Sequence, residues 1–230
     1  ITLFRQEIDP FSDSEISLIR AFAAQAVIAI DNAQQFRDMQ LRLEREAATK
    51  QVLSVISQNR DDEKPVFDAI LKQAERLCGA DGSGLQLLNE AGTELQIVAI
   101  GSRNDSGSFP LDTTFPMDLP LGMCIAVREA RVVHYEDLKE TELYKQGHDG
   151  RRKLVDVEGV RSFLNVPLLR DNVGFGNITL SRRVPKPFTA EEIALVETFA
   201  AQAVIAIDNV RQFREVQTRL EREQGMADVL

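Results

Sequence analysis

Residues 1–53 return, without a gap, as residues 178–230: 31 of the 53 positions are identical, and the word FAAQAVIAIDN stands at both 22–32 and 199–209. A repeat of this length constrains folding strongly, because one segment must serve two structural units. It predicts a slice of a longer array, holding the tail of one repeat and all of the next. Residues 1–10 are then expected to be the last strand and hairpin remnant of a preceding unit. Residues 11–59 should form a linker helix, 60–210 the complete domain, and 211–230 the start of the next linker.

The linker expectation rests on punctuation. Between Pro10 and Pro65 there is neither glycine nor proline. Ser12 followed by Glu15 three residues on has the form of a capping box, and apolar residues then recur at three-and-four spacing. Ile19, Phe22, Ala26, Ile30, Phe36 and Leu43 mark the apolar side, and charged residues fill the others, as in RLEREAATK. At about 1.5 Å per residue such a helix spans roughly 70 Å, more than one small domain can bury. The surplus predicts a homodimer through the same helix of a second copy. The run AFAAQAVIAI is half the roughly 20 residues of a membrane span and carries Gln25, so it reads as a buried helix face with no membrane in this region.

A net charge of −9 argues against nucleic acid or an anionic membrane as the main partner. The one basic cluster, Arg151-Arg152-Lys153, reads as a solvated loop. Cys78 and Cys124 stand far apart with no CxxC pairing, which predicts a reducing, cytoplasmic setting and no zinc site. His134 and His148 show neither HExxH nor triad spacing, and His134 reads as a strand residue. No metal site and no catalytic residue are expected.

After Pro65, VFDAILKQAERLCGA reads as an amphipathic helix ending at Gly79, and SGLQLLN and ELQIVAI as a hairpin joined by EAGT. Residues 101–119 read as a long loop. CIAVREA follows as a helix, RVVHYED as a strand, and LKETELYKQGHDGRRK as a helix fading into loop. VRSFLNVPLLR and FGNITLSRR are strands separated by Asp171-Asn172-Val173-Gly174, and PFTAEE opens a terminal helix with Thr189 and Glu192 as a second capping box. The order helix–helix–β–β–loop–helix–β–helix–β–β–helix predicts an α+β fold with an antiparallel sheet. No GxGxxG follows a strand, which excludes a Rossmann reading.

These residues resemble the GAF domain family. GVRSFLNVPLLRDNVGFGNITLSRRVPKPFTAEEIALVETFAAQAVIAIDN is similar to the closing half of such a domain. LKQAERLCGADGSGLQLLN is similar to the opening helix and first strand, and AVREARVVHYEDL to the middle helix–strand step. The resemblance covers residues 60–210 and, as a fragment, 1–32, and it is most like the tandem domains of bacterial sensor histidine kinases and nucleotide cyclases. It implies a six-stranded antiparallel sheet with terminal helices on one face and a loop-and-helix pocket on the other. Strand alternation then assigns Leu164, Val166, Ile178 and Leu180 to the helix side. It assigns Phe163, Asn165 and Pro167, with Asn177, Thr179 and Ser181, to the pocket, and Tyr135, Cys124 and Phe115 are further candidates for its lining.

The resemblance implies no particular cofactor. Bilin-attaching members pair a cysteine with an adjacent histidine, whereas Cys124 precedes Ile125 and Cys78 precedes Gly79. Members that bind cyclic nucleotides carry an NKFDE signature; here Arg182-Arg183 stand where Asn-Lys would, and Phe188 with Glu191-Glu192 reads as the helix start. A methionine sulfoxide reductase built on this fold needs several cysteines at the pocket, which two separated thiols do not supply. The expectation is a non-catalytic sensory and relay module of a multi-domain bacterial signalling protein, with a small-molecule ligand in the pocket. The alternative is a ligand-free dimerisation and relay module.

Overall fold

The computed structural model describes residues 1–6, 8–59, 61–101 and 109–227, with side chains through 219. The chain forms two units, residues 1–47 and residues from 48 onward.

In the first unit, residues 1–6 make no strand pairing. No neighbouring strand within the described residues offers them a ladder. Arg5 lies over the Phe11 ring at 4.4 Å and pairs with Asp9 and Glu15. The capping box is formed: Ser12 N–H donates to Glu15 Oε2 at 2.8 Å, and Glu15 N–H to Ser12 Oγ at 3.3 Å. It opens α1, Asp13–Gln58, a helix of 46 residues. Within this unit Phe22, Ile30, Phe36 and Leu43 are exposed, while Ile19 and Ala26 are half-buried.

The second unit takes the last turns of α1, where Ala48, Val52 and Ile56 are buried, followed by α2, Lys64–Cys78. Pro65 suits the first helical turn because its missing N–H has no intrahelical acceptor there. Strands β1 (Gly82–Leu88) and β2 (Glu94–Ile100) form the expected hairpin. Of the loop expected over 101–119, residues 102–108 lie outside the described residues, and β3, Thr114–Pro116, lies within the remainder. Sequence reasoning missed this strand because three residues carry no alternation, and Pro116 is tolerated since β3 is an edge. Helix α3 (Gly122–Glu129) and β4 (Val133–Tyr135) follow. The helix expected to fade into loop is several short turns: 3-10 at Leu138–Glu140, α4 at Glu142–Lys145, α5 at Asp149–Arg152, and a wide π-type turn at Lys153–Val157. The chain closes with β5 (Ser162–Arg170), β6 (Val173–Arg182) and α6 (Ala190–Ala227).

The six strands form one antiparallel sheet in the order β3-β2-β1-β6-β5-β4. The β5–β6 turn is shorter than the sequence suggested. Arg170 pairs with Val173, and Asp171 and Asn172 hold φ of 51° and 63°. That is the two-residue turn whose twist matches the strands, and Asp and Asn are the non-glycine residues that tolerate it. Gly174 then lies under α3: a Cβ there would sit 2.1 Å from the Val127 carbonyl oxygen, so only glycine lets the helix approach.

One face of the sheet presents Leu164, Val166, Ile178 and Leu180 to a core completed by α2 and by Val196, Phe199, Ala200 and Ala203 of α6. The second copy of the repeated word is therefore a core helix face. By composition and length both long helices could cross a membrane, but the apolar window of α6 is 44% buried within the protein.

The α6 start is tied to the sheet through Arg182. This buried guanidinium donates to the carbonyls of Lys186 and Pro187, both at 2.9 Å, and of Cys78. It pairs with Glu192 at 2.6 Å and lies over the Phe188 ring at 4.0 Å. Glu192 and Thr189 complete the second capping box. Beside them, His134 Nε2 accepts the Phe188 N–H at 3.1 Å.

Burial holds His134 below the ordinary histidine pKa, against the opposing charge of Glu136; Arg182 lowers it further and Glu192 raises it. The unfolded chain titrates near about 6.5, so the unfolded state binds the proton more readily. The contribution is complete above that pH and is lost as pH falls toward the folded value. Thermal melts are expected to show Tm declining below about pH 6.5. His134→Gln should show a shallower decline; an equal slope in both proteins overturns the assignment.

Candidate functional site

On the face opposite the α6 core lies a cavity of about 260 Å³. Its floor is sheet: Gly82, Gly84 and Gln86 of β1, Phe163 of β5, and Thr179 and Ser181 of β6. Its walls are the start of α3 and the segment from His148 to Val160, with Phe115 of β3 at the side. The floor is open because β1 carries glycine there. A Cβ on Gly84 would press on Gln86 Nε2 at 3.0 Å and Thr179 Oγ1 at 3.2 Å.

Of the expected lining residues, the structure brings Phe115, Phe163, Thr179 and Ser181 to this cavity. Five others lie outside its lining, among them Pro167, which pairs with Asn177 between β5 and β6. Asn177 shares the sheet face, but its Nδ2 is spent on Gln86 Oε1 at 3.1 Å, beneath the lining. Asn165 donates to the Val133 carbonyl at 3.2 Å and is covered by the N-terminal end of α3, where a Cβ on Gly122 would come within 2.7 Å of its Nδ2. Tyr135 stands behind the wall, its ring 4.9 Å from the Arg151 guanidinium. Cys124 is buried in a separate cluster with Leu95 and Val127, its Sγ 3.6 Å from the Pro116 carbonyl. Alternation assigns a face correctly, yet which part of that face stays open depends on what packs over it.

The basic cluster also needs correction. Arg152 and Lys153 are exposed, but Arg151 is only 2% exposed and forms part of the cavity wall. A signal for this exists in the sequence: Arg151, Leu154, Val155 and Glu158 share helical spacing, and all four are buried or half-buried. Ser83, Gln86, His148 and Glu158 complete the polar part of the lining, and sequence reasoning missed all four. Among the described residues, no group of three or more His, Cys, Asp or Glu side chains could hold a metal ion.

A six-stranded antiparallel sheet with helices on one face and a small, largely apolar cavity on the other defines an α+β domain. The GAF domain family matches residues 62–207, and the chain belongs to that family. Solved structures share the fold. The GAF domain of an Acinetobacter phosphoenolpyruvate-protein phosphotransferase is 14% identical with a TM-score of 0.59, covering 74% of this chain and 97% of its own. A domain of a putative two-component sensor histidine kinase from Sinorhizobium meliloti is 18% identical, TM-score 0.51, covering 66% and 94%. The phycoerythrobilin-bound GAF domain of a cyanobacterial phytochrome is 15% identical, TM-score 0.60, covering 75% and 99%.

Both cysteines are buried, and burial pushes the Cys124 thiol up to about 11. A thiolate nucleophile is therefore scarce near neutral pH. Titration with an aromatic disulfide reagent at pH 7.5 should leave the folded protein unreacted and label two thiols after denaturation. Rapid labelling of the folded protein overturns this reading.

Proposed function

We propose that this chain is a non-catalytic sensory and signal-relay domain of a multi-domain bacterial signalling protein, cytoplasmic in location. It binds a small molecule in the sheet-face cavity and passes the change through its long helices to a partner copy. The observation that carries this reading is that cavity and helix seat occupy opposite faces of the same two strands. Phe163, Thr179 and Ser181 line the cavity, while their immediate neighbours Leu164, Ile178 and Leu180 pack in the core with Phe199. A ligand that shifts β5 and β6 therefore shifts the seat of α6. The effect requires different ligand affinities for two helix arrangements. The signalling context draws support from structural neighbours that include a domain of a methyl-accepting chemotaxis protein and one of a putative sensor histidine kinase.

The dimer draws on the repeat. Phe22 and Ala26 correspond to Phe199 and Ala203, which are buried in the sheet core, yet Phe22 is 56% exposed. Such a face calls for a cover, and a second copy of the helix supplies one of matching periodicity. The same exposed face favours the second reading, a ligand-free module that only dimerises and relays.

Native mass spectrometry of protein purified without denaturation separates the two. A bound species of a few hundred daltons is expected, and an empty protein favours the ligand-free relay. Sedimentation should show a dimer that Ile30→Glu weakens; a strict monomer at high concentration overturns the dimer.

A further inference from the structure

Among the described residues, two arginines are fully buried, and they differ in what they hold. The terminal nitrogens of Arg182 meet three backbone carbonyls and the Glu192 carboxylate. Arg151 is equally buried, at 2% exposure, but no carboxylate lies within ion-pair distance of it among the described residues. The Nε of each arginine has no hydrogen-bond partner there, so the difference lies at the counter-charge: what faces Arg151 is Tyr135, through the ring at 4.9 Å and the phenol. Burial lowers its pKa from the ordinary arginine value. A guanidinium withdrawn from water without a counter-ion is costly, and the cost recurs in folding unless something returns it. Arg151 stands in the cavity wall, where a ligand can return it.

We propose that the cavity takes a small organic acid, an apolar body ending in a carboxylate, with the carboxylate seated on Arg151. The planar fork of arginine matches a carboxylate in two parallel hydrogen bonds. The remaining wall fits the body: Ile97, Phe115, Leu121, Leu154 and Phe163 are apolar. His148 stands on the same wall, and its Nδ1 accepts the Arg151 backbone N–H at 3.4 Å, which helps fix the turn that carries the guanidinium. This inference rests on the ligand-binding reading above and names the class of ligand.

The test uses calorimetric titration of the whole chain with 3-phenylpropanoate, the uncharged 3-phenylpropanamide of the same shape, and phenyl phosphate. The acid should bind about tenfold or more tightly than the amide. Arg151→Met, of similar length and without charge, should bring the acid down to the amide's affinity while its thermal melt stays cooperative. The wild-type comparison stands even if that variant fails to fold. Equal binding of acid and amide, or undiminished acid binding by Arg151→Met, overturns the proposal and leaves a ligand-binding cavity intact. Tighter binding of phenyl phosphate overturns the carboxylate assignment. A co-purified species without an acid group also overturns the proposal alone. Failure of all three compounds, with an empty protein in native mass spectrometry, overturns this proposal and the sensory reading together.

Discussion

The domain hangs on the Arg182 cluster. One buried guanidinium at the end of β6 reaches the end of α2, the turn before α6 and the first turn of α6 itself. Phe188 lies beneath it, and the neutral His134 accepts the Phe188 N–H from the other side. A charge this deep is tolerated because its terminal nitrogens meet carbonyls and a carboxylate. Its removal would leave several buried acceptors unmet at once, a heavier loss than that of one surface pair. The arrangement sets where α6 leaves the sheet, and so which of its residues face the core.

From that anchor the two faces of the sheet acquire different roles. The face under α6 is continuous and apolar, and it is closed by the helices. The opposite face is only partly covered. α3 closes over Asn165, with Gly174 allowing the helix to come down on β6, and glycines in β1 leave the floor beside it open. Cavity and core are therefore one residue apart along β5 and β6. Close-packed interiors transmit such displacements because they have few voids to absorb them.

The elements themselves were largely legible. Both capping boxes, the α2 stop at Gly79, the β1–β2 hairpin and the sheet-face alternation of β5 and β6 follow from local spacing, and each is present. The site was legible in part. Thr179 and Phe163 reach the cavity by alternation, whereas Asn165 and Asn177, on the same face, do not. Their exclusion depends on α3 and on Gln86, which are distant in sequence. Cys124 was misplaced for a similar reason: helix spacing shows which side of α3 is buried, but not that β3 supplies the cover. Arg151 was misread because charge composition outweighed the helical spacing that tied it to Leu154 and Val155.

The sequence by itself determined the repeated segment, the order of helices and strands, the caps and the alternation, because these are set by neighbours along the chain. It also carried the family, through a run of residues from β5 into α6. Tertiary structure alone decided which polar residues on one sheet face stay open, which cysteine sits under a strand, and which of three adjacent basic residues faces the cavity. Those outcomes depend on side chains brought together from β1, α3, β4 and the turns before β5. Burial and pairing are properties of such assemblies, and no single segment specifies them.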